Sequence, residues 1–188
     1  MRLFFAIPVS GPVREIVRGR IHHFPVEDPP WRWIDPGNYH LTMKFLGEVD
    51  EDRIPGLCKA AGLAVAGIEP FRIAFGPFGG FPSLSRPRVL FFGIKEGVER
   101  MRSLAVNLED ELEKLGFVRE RKPFRAHLTL ARIKRALPRS IVTDLEAIAP
   151  LPAEASQEAD RLELVRSRLS PSGATYSSVA TVTFRSGD

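Results

Sequence analysis

The sequence contains a single cysteine, Cys58, in its 188 residues. One cysteine cannot form an internal disulfide or supply a zinc site with four cysteine ligands, so we expect a protein of the reducing cytoplasm. Long apolar runs are also missing, since no stretch approaches the roughly 20 apolar residues that a membrane helix needs. The apolar start, Met1 to Val9, contains Pro8 and has no small-residue cleavage pattern, so it predicts a buried strand rather than a signal peptide.

Lysine is scarce relative to arginine. Of the 27 basic residues, lysine occupies only positions 44, 59, 95, 114, 122 and 134, and arginine supplies the rest. Guanidinium groups donate paired hydrogen bonds to phosphate oxygens, so this bias is compatible with a nucleotide or nucleic-acid partner. Many arginines beside few Asn and Gln are equally typical of a heat-adapted protein. Composition therefore leaves both interpretations open.

Length and hydrophobic share predict one globular domain, residues 1–188, with either one well-filled core or two closely packed lobes. Strands are predicted at 2–9, 39–47, 71–75, 89–94, 127–133, 162–169 and 177–184. Helices are predicted at 12–22, 50–66, 98–115 and from 140 onward. The glycine-rich segment from Gly76 to Pro82 lacks the spacing of a phosphate loop and predicts a tight turn. This mixed order favours an α+β fold with a largely antiparallel sheet.

A short motif occurs twice, as His40-Leu41-Thr42 and as His127-Leu128-Thr129. The copies lie in opposite halves of the chain, each in a predicted strand, which is typical of a duplicated unit with pseudo-two-fold symmetry. Side chains at i and i+2 of a strand point the same way, so each histidine shares a face with its threonine. We therefore expect two His-Thr pairs that face each other across a central cleft.

Such a pair of motifs suits displacement at phosphorus, which needs proton transfer on both sides of the reacting atom. One imidazole can accept a proton from water while the other donates to the leaving oxygen, and the threonine hydroxyls can donate to phosphate oxygens. No metal or other cofactor is then required, and neither motif has an adjacent carboxylate or third histidine to complete a metal site. His22 and His23 are interpreted as surface or helix-capping residues. The near symmetry leaves open which histidine is the acid.

The residues around both motifs resemble a known family. Arg32 to Gly47 and Phe124 to Arg132 are similar to the two signatures of the bacterial and archaeal RNA 2′,3′-cyclic phosphodiesterases, historically called 2′-5′ RNA ligases, within the 2H phosphoesterase superfamily. Ser167 to Tyr176 resembles that family's closing segment, so the resemblance spans almost the whole chain. It implies a bilobal, duplicated α+β fold with antiparallel sheets flanking a central cleft and helices outside. It also implies hydrolysis of a terminal RNA 2′,3′-cyclic phosphate to a 2′-phosphate, without a cofactor.

The resemblance further implies roles for individual residues. His40 gives a proton to the leaving 3′ oxygen, His127 takes one from water, and Thr42 and Thr129 hold the phosphate. Arg132, five positions after the second histidine, is the candidate phosphate-binding guanidinium. Strict alternation places Arg132 on the face opposite His127, so its side chain reaches the phosphate only if the strand bends, bulges or ends near Ala131.

Two other functions remain open. The same residues could join a 5′-hydroxyl end to a cyclic phosphate, which would make the protein an ATP-independent 2′-5′ RNA ligase. Alternatively, the arginine-rich surface could serve a non-catalytic RNA-binding module. The expected partners are RNA ends or small cyclic nucleotides that carry a 2′,3′-cyclic phosphate, with no membrane and a monomer by default. Tyr39, Phe45 and Phe81 could stack on a base but are interpreted as core residues.

Overall fold

The structure is a computed structural model that describes residues 1–21, 30–170 and 173–185. Its α-helices are α1 Gly11–Ile21, α2 Ile54–Ala64, α3 Val98–Glu113 and α4 Arg139–Glu146. Its strands are β1 Arg2–Pro8, β2 Trp31–Trp33, β3 His40–Glu48, β4 Phe71–Phe81, β5 Val89–Glu96, β6 His127–Ile133, β7 Ser156–Ala159, β8 Arg161–Ser170 and β9 Gly173–Thr183. Short 3-10 turns at Pro36–Asn38 and Glu51–Arg53 precede β3 and α2.

The strands form two antiparallel sheets, one with the order β3-β1-β8-β9 and the other with the order β2-β6-β5-β4-β7. Each sheet contains one His-x-Thr strand, β3 or β6, beside a long apolar neighbour, β1 or β5. The strand that follows α2 joins the sheet of β6, and β8, which follows α4 and β7, joins the sheet of β3. Each half of the chain thus completes the sheet of the other half. The predicted two-lobed α+β fold is confirmed.

The helices bury the apolar stripes that their spacing predicts. Helix α3 buries Met101, Leu104, Leu108 and Leu112 completely. It ends shortly before Gly116, whose positive φ of 85° is the left-handed conformation that commonly ends a helix. One apolar cluster contains buried residues of both sheets and of α1, α2 and α3. The motif leucines belong to this cluster, so the core fixes β3 relative to β6.

The predicted tight turn at Gly76 to Pro82 is wrong, because β4 continues through this segment to Phe81. A register shift between Phe75 and Phe78 accommodates Gly76 and Pro77, and the pairing with β5 then resumes. Glycine is needed here for a tertiary reason. A Cβ atom on Gly79 would lie 2.7 Å from Cζ of Phe91 on the neighbouring strand. The glycine therefore makes room for an aromatic ring of the neighbouring strand. Sequence rules for turns consider only nearby residues and cannot predict such a contact.

Other predicted elements agree with the structure to within a few residues. Helix α2 begins at Ile54 rather than at residue 50, because a 3-10 turn occupies Glu51–Arg53. The short strands β2 and β7, which lie at the two edges of the second sheet, were not predicted. His22 and His23, which were interpreted as surface or helix-capping residues, lie outside the described residues. Among the described helices, none is both long and apolar enough to cross a bilayer.

Candidate active site

The two His-x-Thr strands have the same local irregularity. In β6, Thr129 pairs with Phe91 and Ala131 pairs with Leu90, so Leu130 is an extra residue between them. In β3, Met43 is the extra residue at the corresponding place. A bulge of this kind inserts one residue, so the side chains that follow it point to the opposite face of the sheet from the one that strict alternation predicts. Both strands consequently contain two successive buried residues and then an exposed one at the fifth position after the histidine.

The bulge places Arg132 on the face of β6 that carries His127 and Thr129. Arg132 pairs with Val89, whose side chain lies on the same face as that of Phe91, opposite Thr129. The positive charge of Arg132 contributes to lowering the pKa of both His40 and His127. The condition on which the predicted role of Arg132 depends, a bulge in its strand, is confirmed.

The two histidine rings are held by equivalent hydrogen bonds. Nδ1 of His40 lies 2.7 Å from the carbonyl oxygen of Asn38, and Nδ1 of His127 lies 2.7 Å from the carbonyl oxygen of Arg125. A carbonyl oxygen can only accept, so Nδ1 carries the proton in both rings. In the neutral state each ring therefore has its free lone pair on Nε2. Both histidines have the same tautomer and the same nitrogen available for proton transfer.

Aromatic rings from neighbouring strands pack against each histidine. The His40 ring contacts Phe4 of β1 and Tyr176 of β9, at centroid distances of 4.7 and 5.0 Å. The His127 ring contacts Phe81 of β4 and Phe91 of β5, at 5.0 and 5.5 Å. These contacts are long-range in sequence and fix the orientation of both imidazoles. The aromatic side chains also shield both imidazole rings from water.

Burial and nearby positive charge favour the neutral form of both histidines. Burial lowers the pKa of His40 and outweighs the opposing hydrogen bond to Asn38; the charges of His127 and Arg132 lower it further. Burial likewise lowers the pKa of His127, with Arg132 as a second cause and the bond to Arg125 opposing it. A charge on one ring disfavours a charge on the other. The pair therefore holds one proton more readily than two.

A cavity of about 1120 Å³ opens beside His127, and its wall also includes Thr42. Each half of the chain thus contributes one motif residue to the same cavity, and the facing of both complete His-Thr pairs across one cleft stays a prediction. Thr129 is partly exposed on the strand face that carries His127. In the described ranges 1–21, 30–170 and 173–185, no three His, Cys, Asp or Glu side chains are grouped closely enough to hold a metal ion.

Comparison with known proteins now identifies the family. The model of the LigT-like phosphoesterase family matches the chain over residues 10–91 and again over 93–176, once for each motif. The chain belongs to the LigT-like phosphoesterase family. An RNA 2′,3′-cyclic phosphodiesterase of Archaeoglobus fulgidus is 35% identical over 176 residues, which cover 94% of this chain and 96% of the relative. A Thermotoga maritima protein of the same name is 32% identical over 187 residues, covering 100% and 97%.

Solved structures share the fold of this chain. A crystal structure of a Thermus thermophilus protein superposes with a TM-score of 0.81 at 31% identity and covers 99% of both chains. The crystal structure of E. coli LigT complexed with 3′-AMP has a TM-score of 0.78 at 27% identity and covers 97% of both chains. The resemblance found in the sequence is therefore confirmed for the family and the fold.

Sequence reasoning missed the aromatic residues that surround the histidines of this LigT-like phosphoesterase. Phe4 lies in an apolar run in which neighbouring residues are also buried, so alternation does not single it out. Phe81 was interpreted as a core residue, but its ring packs against His127 and lines the cavity. Tyr39 is a core residue, 2% exposed, whereas Phe45 is 51% exposed and is not. The one sequence signal for Tyr176 was its place in the family's closing segment.

Proposed function

We propose that the protein hydrolyses the terminal 2′,3′-cyclic phosphate of RNA to a 2′-phosphate, with His40 and His127 as acid and base. The observation that carries the proposal is the matched hydrogen bonding of the two rings through Nδ1, which leaves Nε2 of each ring free for proton transfer. Relatives that match most of this chain are named RNA 2′,3′-cyclic phosphodiesterases, which supports the same substrate here.

In the proposed reaction, a water oxygen attacks phosphorus and the bond from phosphorus to the 3′ oxygen breaks. Neutral His127 accepts the water proton on Nε2, and its lowered pKa keeps it neutral at physiological pH. Protonated His40 donates from Nε2 to the departing 3′ oxygen, which becomes a hydroxyl group. The product keeps its phosphate on the 2′ oxygen. The two histidines exchange protonation states, and solvent restores them before the next turnover.

Substrate binding favours the protonation of His40 by solvent. In the free protein, the charges of His127 and Arg132 lower the pKa of His40. The phosphodiester is an anion, and an anion beside an imidazole favours its charged form. We propose that the bound cyclic phosphate raises the pKa of His40 while His127 remains neutral. Binding then creates the state with one acid and one base from a pair that is neutral at rest.

Thr42, Thr129 and Arg132 complete the proposed site around the phosphate. The threonine hydroxyls donate hydrogen bonds to non-bridging oxygens without adding charge, and the Arg132 guanidinium balances the negative charge that builds up in the transition state. Acid, base and charge stabilisation are thus all available from protein side chains. We propose on this ground that hydrolysis needs no metal ion.

The assignment of His40 as acid and His127 as base follows the family resemblance. The structure adds one asymmetry that is compatible with it. The fifth position after the histidine is Arg132 in β6 but Phe45 in β3, so the substrate meets a cation beside one motif and an aromatic ring beside the other. An asymmetric site binds its substrate in one direction, which lets the two histidines take different roles.

The proposal is tested by hydrolysis of a short RNA that ends in a 2′,3′-cyclic phosphate, in the presence of EDTA. We expect wild-type protein to produce a 2′-phosphate, and we expect His40→Ala and His127→Ala each to lower kcat by about 100-fold or more, as for other general acid and base groups. Circular dichroism checks that both variants fold. A 3′-phosphate product, or loss of wild-type activity in EDTA that zinc or magnesium restores, would contradict the proposed mechanism.

A further inference from the structure

The carbonyl oxygen that holds the His40 ring belongs to a short turn rather than to a strand. Pairing between β1 and β3 ends at Pro8 and His40, so Asn38 lies before the paired part of the sheet. Asn38 is the last residue of the 3-10 turn Pro36–Asn38, and its backbone N–H donates to the carbonyl oxygen of Asp35 at 2.8 Å. The position of the carbonyl group that orients His40 therefore depends on the contacts that fix this turn.

Two side chains fix the turn. Oδ1 of Asp35 accepts a hydrogen bond from the backbone N–H of Gly37 at 2.7 Å, which holds the start of the turn. The side-chain amide of Asn38 donates through Nδ2 to the carbonyl oxygen of Ala174 in β9 at 3.2 Å, across 136 residues of the chain. In the sheet order β3-β1-β8-β9, two strands separate β9 from β3, so this hydrogen bond does not follow from strand pairing. It joins the turn before His40 directly to a distant strand.

Strand β9 also carries one of the aromatic rings that pack against His40. Tyr176 follows Ala174 by two residues, and its ring lies 5.0 Å from the His40 ring and 5.4 Å from the Phe4 ring, measured between centroids. Asn38 therefore acts on His40 in two ways. Its carbonyl oxygen accepts from Nδ1 of His40, and its amide is bonded to the strand that carries Tyr176. Loss of the amide separates the turn from β9 but leaves the carbonyl group in the chain.

His127 provides an internal comparison. Its Nδ1 also donates to the carbonyl oxygen two residues earlier, that of Arg125, at 2.7 Å. The guanidinium of Arg125, however, lies over the ring of Phe81, at 5.8 Å from its centroid. The main-chain contact is thus the same for both histidines, whereas the residues that supply it have different side-chain contacts. We expect a change in the Asn38 side chain to alter His40 and to leave His127 as it is.

We propose that Asn38 is a positioning residue for His40: its side-chain amide fixes the turn, so that its carbonyl oxygen holds Nδ1–H of His40 and leaves Nε2 free for proton transfer. The inference rests on the proposed function and adds to it a residue that acts through His40. A hydrogen bond to a carbonyl oxygen selects the tautomer of a neutral imidazole, and it favours the charged imidazole still more, because a cationic N–H is the stronger donor. When the turn is loosened, the other tautomer of His40 becomes populated and the charged form, which is the proposed acid, becomes less stable.

NMR of the imidazole nitrogens tests the inference without a substrate. In wild type we expect both His40 and His127 to carry the proton on Nδ1 in the neutral state. In Asn38→Ala, the tautomer with the proton on Nε2 becomes populated in His40, and the pKa of His40 falls because the hydrogen bond that raises it is weakened. His127 keeps its tautomer, and its pKa does not fall. The charged and titratable groups around His40, which are His127 and Arg132 of β6 and Tyr176 of β9, are all retained in this variant. An unchanged tautomer and pKa of His40 would overturn the inference.

A second pair of variants acts on the start of the same turn. Asp35→Ala removes the oxygen that accepts from Gly37, so we expect it to change the tautomer and the pKa of His40 in the same direction as Asn38→Ala. Asp35→Asn removes the charge but keeps an acceptor oxygen at that place, and it restores the wild-type values. Equal changes in Asp35→Ala and Asp35→Asn would contradict the inference, because the charge of Asp35 rather than the turn would then act on His40.

Hydrolysis of a short RNA that ends in a 2′,3′-cyclic phosphate gives the catalytic readout. We expect Asn38→Ala to lower kcat by about 10-fold, because misplacement of reacting groups by about 1 Å costs about 100-fold and the change here is smaller. KM stays the same, since the lost contact affects the transition state and not substrate binding. The alkaline limb of the kcat/KM profile, which reports His40 as the acid, moves to lower pH, and the acidic limb stays in place. Asn38→Gln keeps an amide donor and restores part of the rate.

Asn107 of α3 provides a matched control. Its side-chain amide donates to the carbonyl oxygen of Ala64 at 3.0 Å, so Asn107→Ala removes the same kind of hydrogen bond at a place between α2 and α3. We expect this variant to keep the wild-type rate and pH profile. A wild-type rate and profile in Asn38→Ala, or equal losses in Asn38→Ala and Asn107→Ala, would overturn the inference. Absence of hydrolysis by wild type would contradict the proposed function instead.

Discussion

The close approach of Gly79 to Phe91 connects a glycine-rich strand to the orientation of His127. Gly79 and Phe91 are direct cross-strand partners, and the Phe91 ring covers the glycine. That ring stacks on Phe81 at 4.2 Å, and both rings contact His127. A Cβ on residue 79 would meet ring atoms at 2.7 and 2.9 Å, well inside normal van der Waals separation. The Gly79→Ala substitution must therefore displace the ring by several tenths of an ångström.

We expect Gly79→Ala to reduce both stability and activity. Overpacking of a filled site costs about 1 to 3 kcal/mol of the free energy of unfolding. Displacement of a catalytic ring by less than 1 Å lowers the rate by about 10- to 100-fold. Urea unfolding measures the first effect, and hydrolysis of a cyclic-phosphate RNA measures the second.

Two variants control this prediction. Gly62 of α2 has no atom within 4 Å of its Cβ position, so Gly62→Ala keeps full activity and gains roughly 0.5 to 1 kcal/mol from helix propensity. Adding Phe91→Leu to Gly79→Ala removes the clashing ring, so the double variant is more stable than the sum of the two single effects predicts. If Gly79→Ala behaves like Gly62→Ala, the ring of Phe91 does not constrain the orientation of His127.

Three further predictions follow from the same geometry. The side chain of Lys44 is 3% exposed and donates hydrogen bonds to Glu109 and to the carbonyl oxygen of Val118. Because Lys44→Met leaves the Glu109 carboxylate without its partner, we expect it to lower the free energy of unfolding by about 3 kcal/mol in urea titrations. Adding Glu109→Gln to Lys44→Met recovers part of that loss. Lys114→Met, which breaks the exposed pair with Glu111, lowers the free energy of unfolding by less than about 1 kcal/mol. Arg132→Gln removes a positive charge, so the pKa values of His40 and His127 rise in NMR titrations; unchanged values would contradict the proximity of Arg132. Because folding lowers the pKa of both histidines, their contribution to stability is fully present above the unfolded value near 6.5 and is lost as the pH falls below it. Urea midpoints at pH 5 and pH 7 show this loss, and it becomes smaller in His40→Asn.

The parts of the fold that sequence reasoning predicted depend on local patterns. The stripe of α3 and the repeated His-Leu-Thr motif follow from residue spacing, and both are found where they were predicted. The symmetry of the repeat also predicted that β3 and β6 meet at one cleft. The missed features depend on contacts between distant residues.

Phe81 and Gly79 illustrate that limit. Local rules assign a run of glycine and proline to a turn, whereas here glycine accommodates the ring of Phe91 in the middle of a sheet. The partners of His40, Phe4 and Tyr176, are distant from it in sequence and meet it only after β9 pairs with β8 and β8 with β1. A bend, bulge or strand end near Ala131 was stated as the condition for the role of Arg132, and the bulge is found at the adjacent Leu130. The sequence could not show that a bulge forms there, because two successive apolar residues fit either strand face.

The most direct test of the central claim is the pH dependence of kcat/KM for hydrolysis of a cyclic-phosphate RNA by wild type, His40→Ala and His127→Ala. We expect a bell-shaped wild-type profile, in which the acidic limb reports the base and the alkaline limb reports the acid. His127→Ala, with low residual activity, loses the acidic limb, and His40→Ala loses the alkaline limb. A profile that keeps both limbs in either variant would contradict the claim that these two histidines are the acid and the base, and an exchange of the lost limbs would reverse their roles.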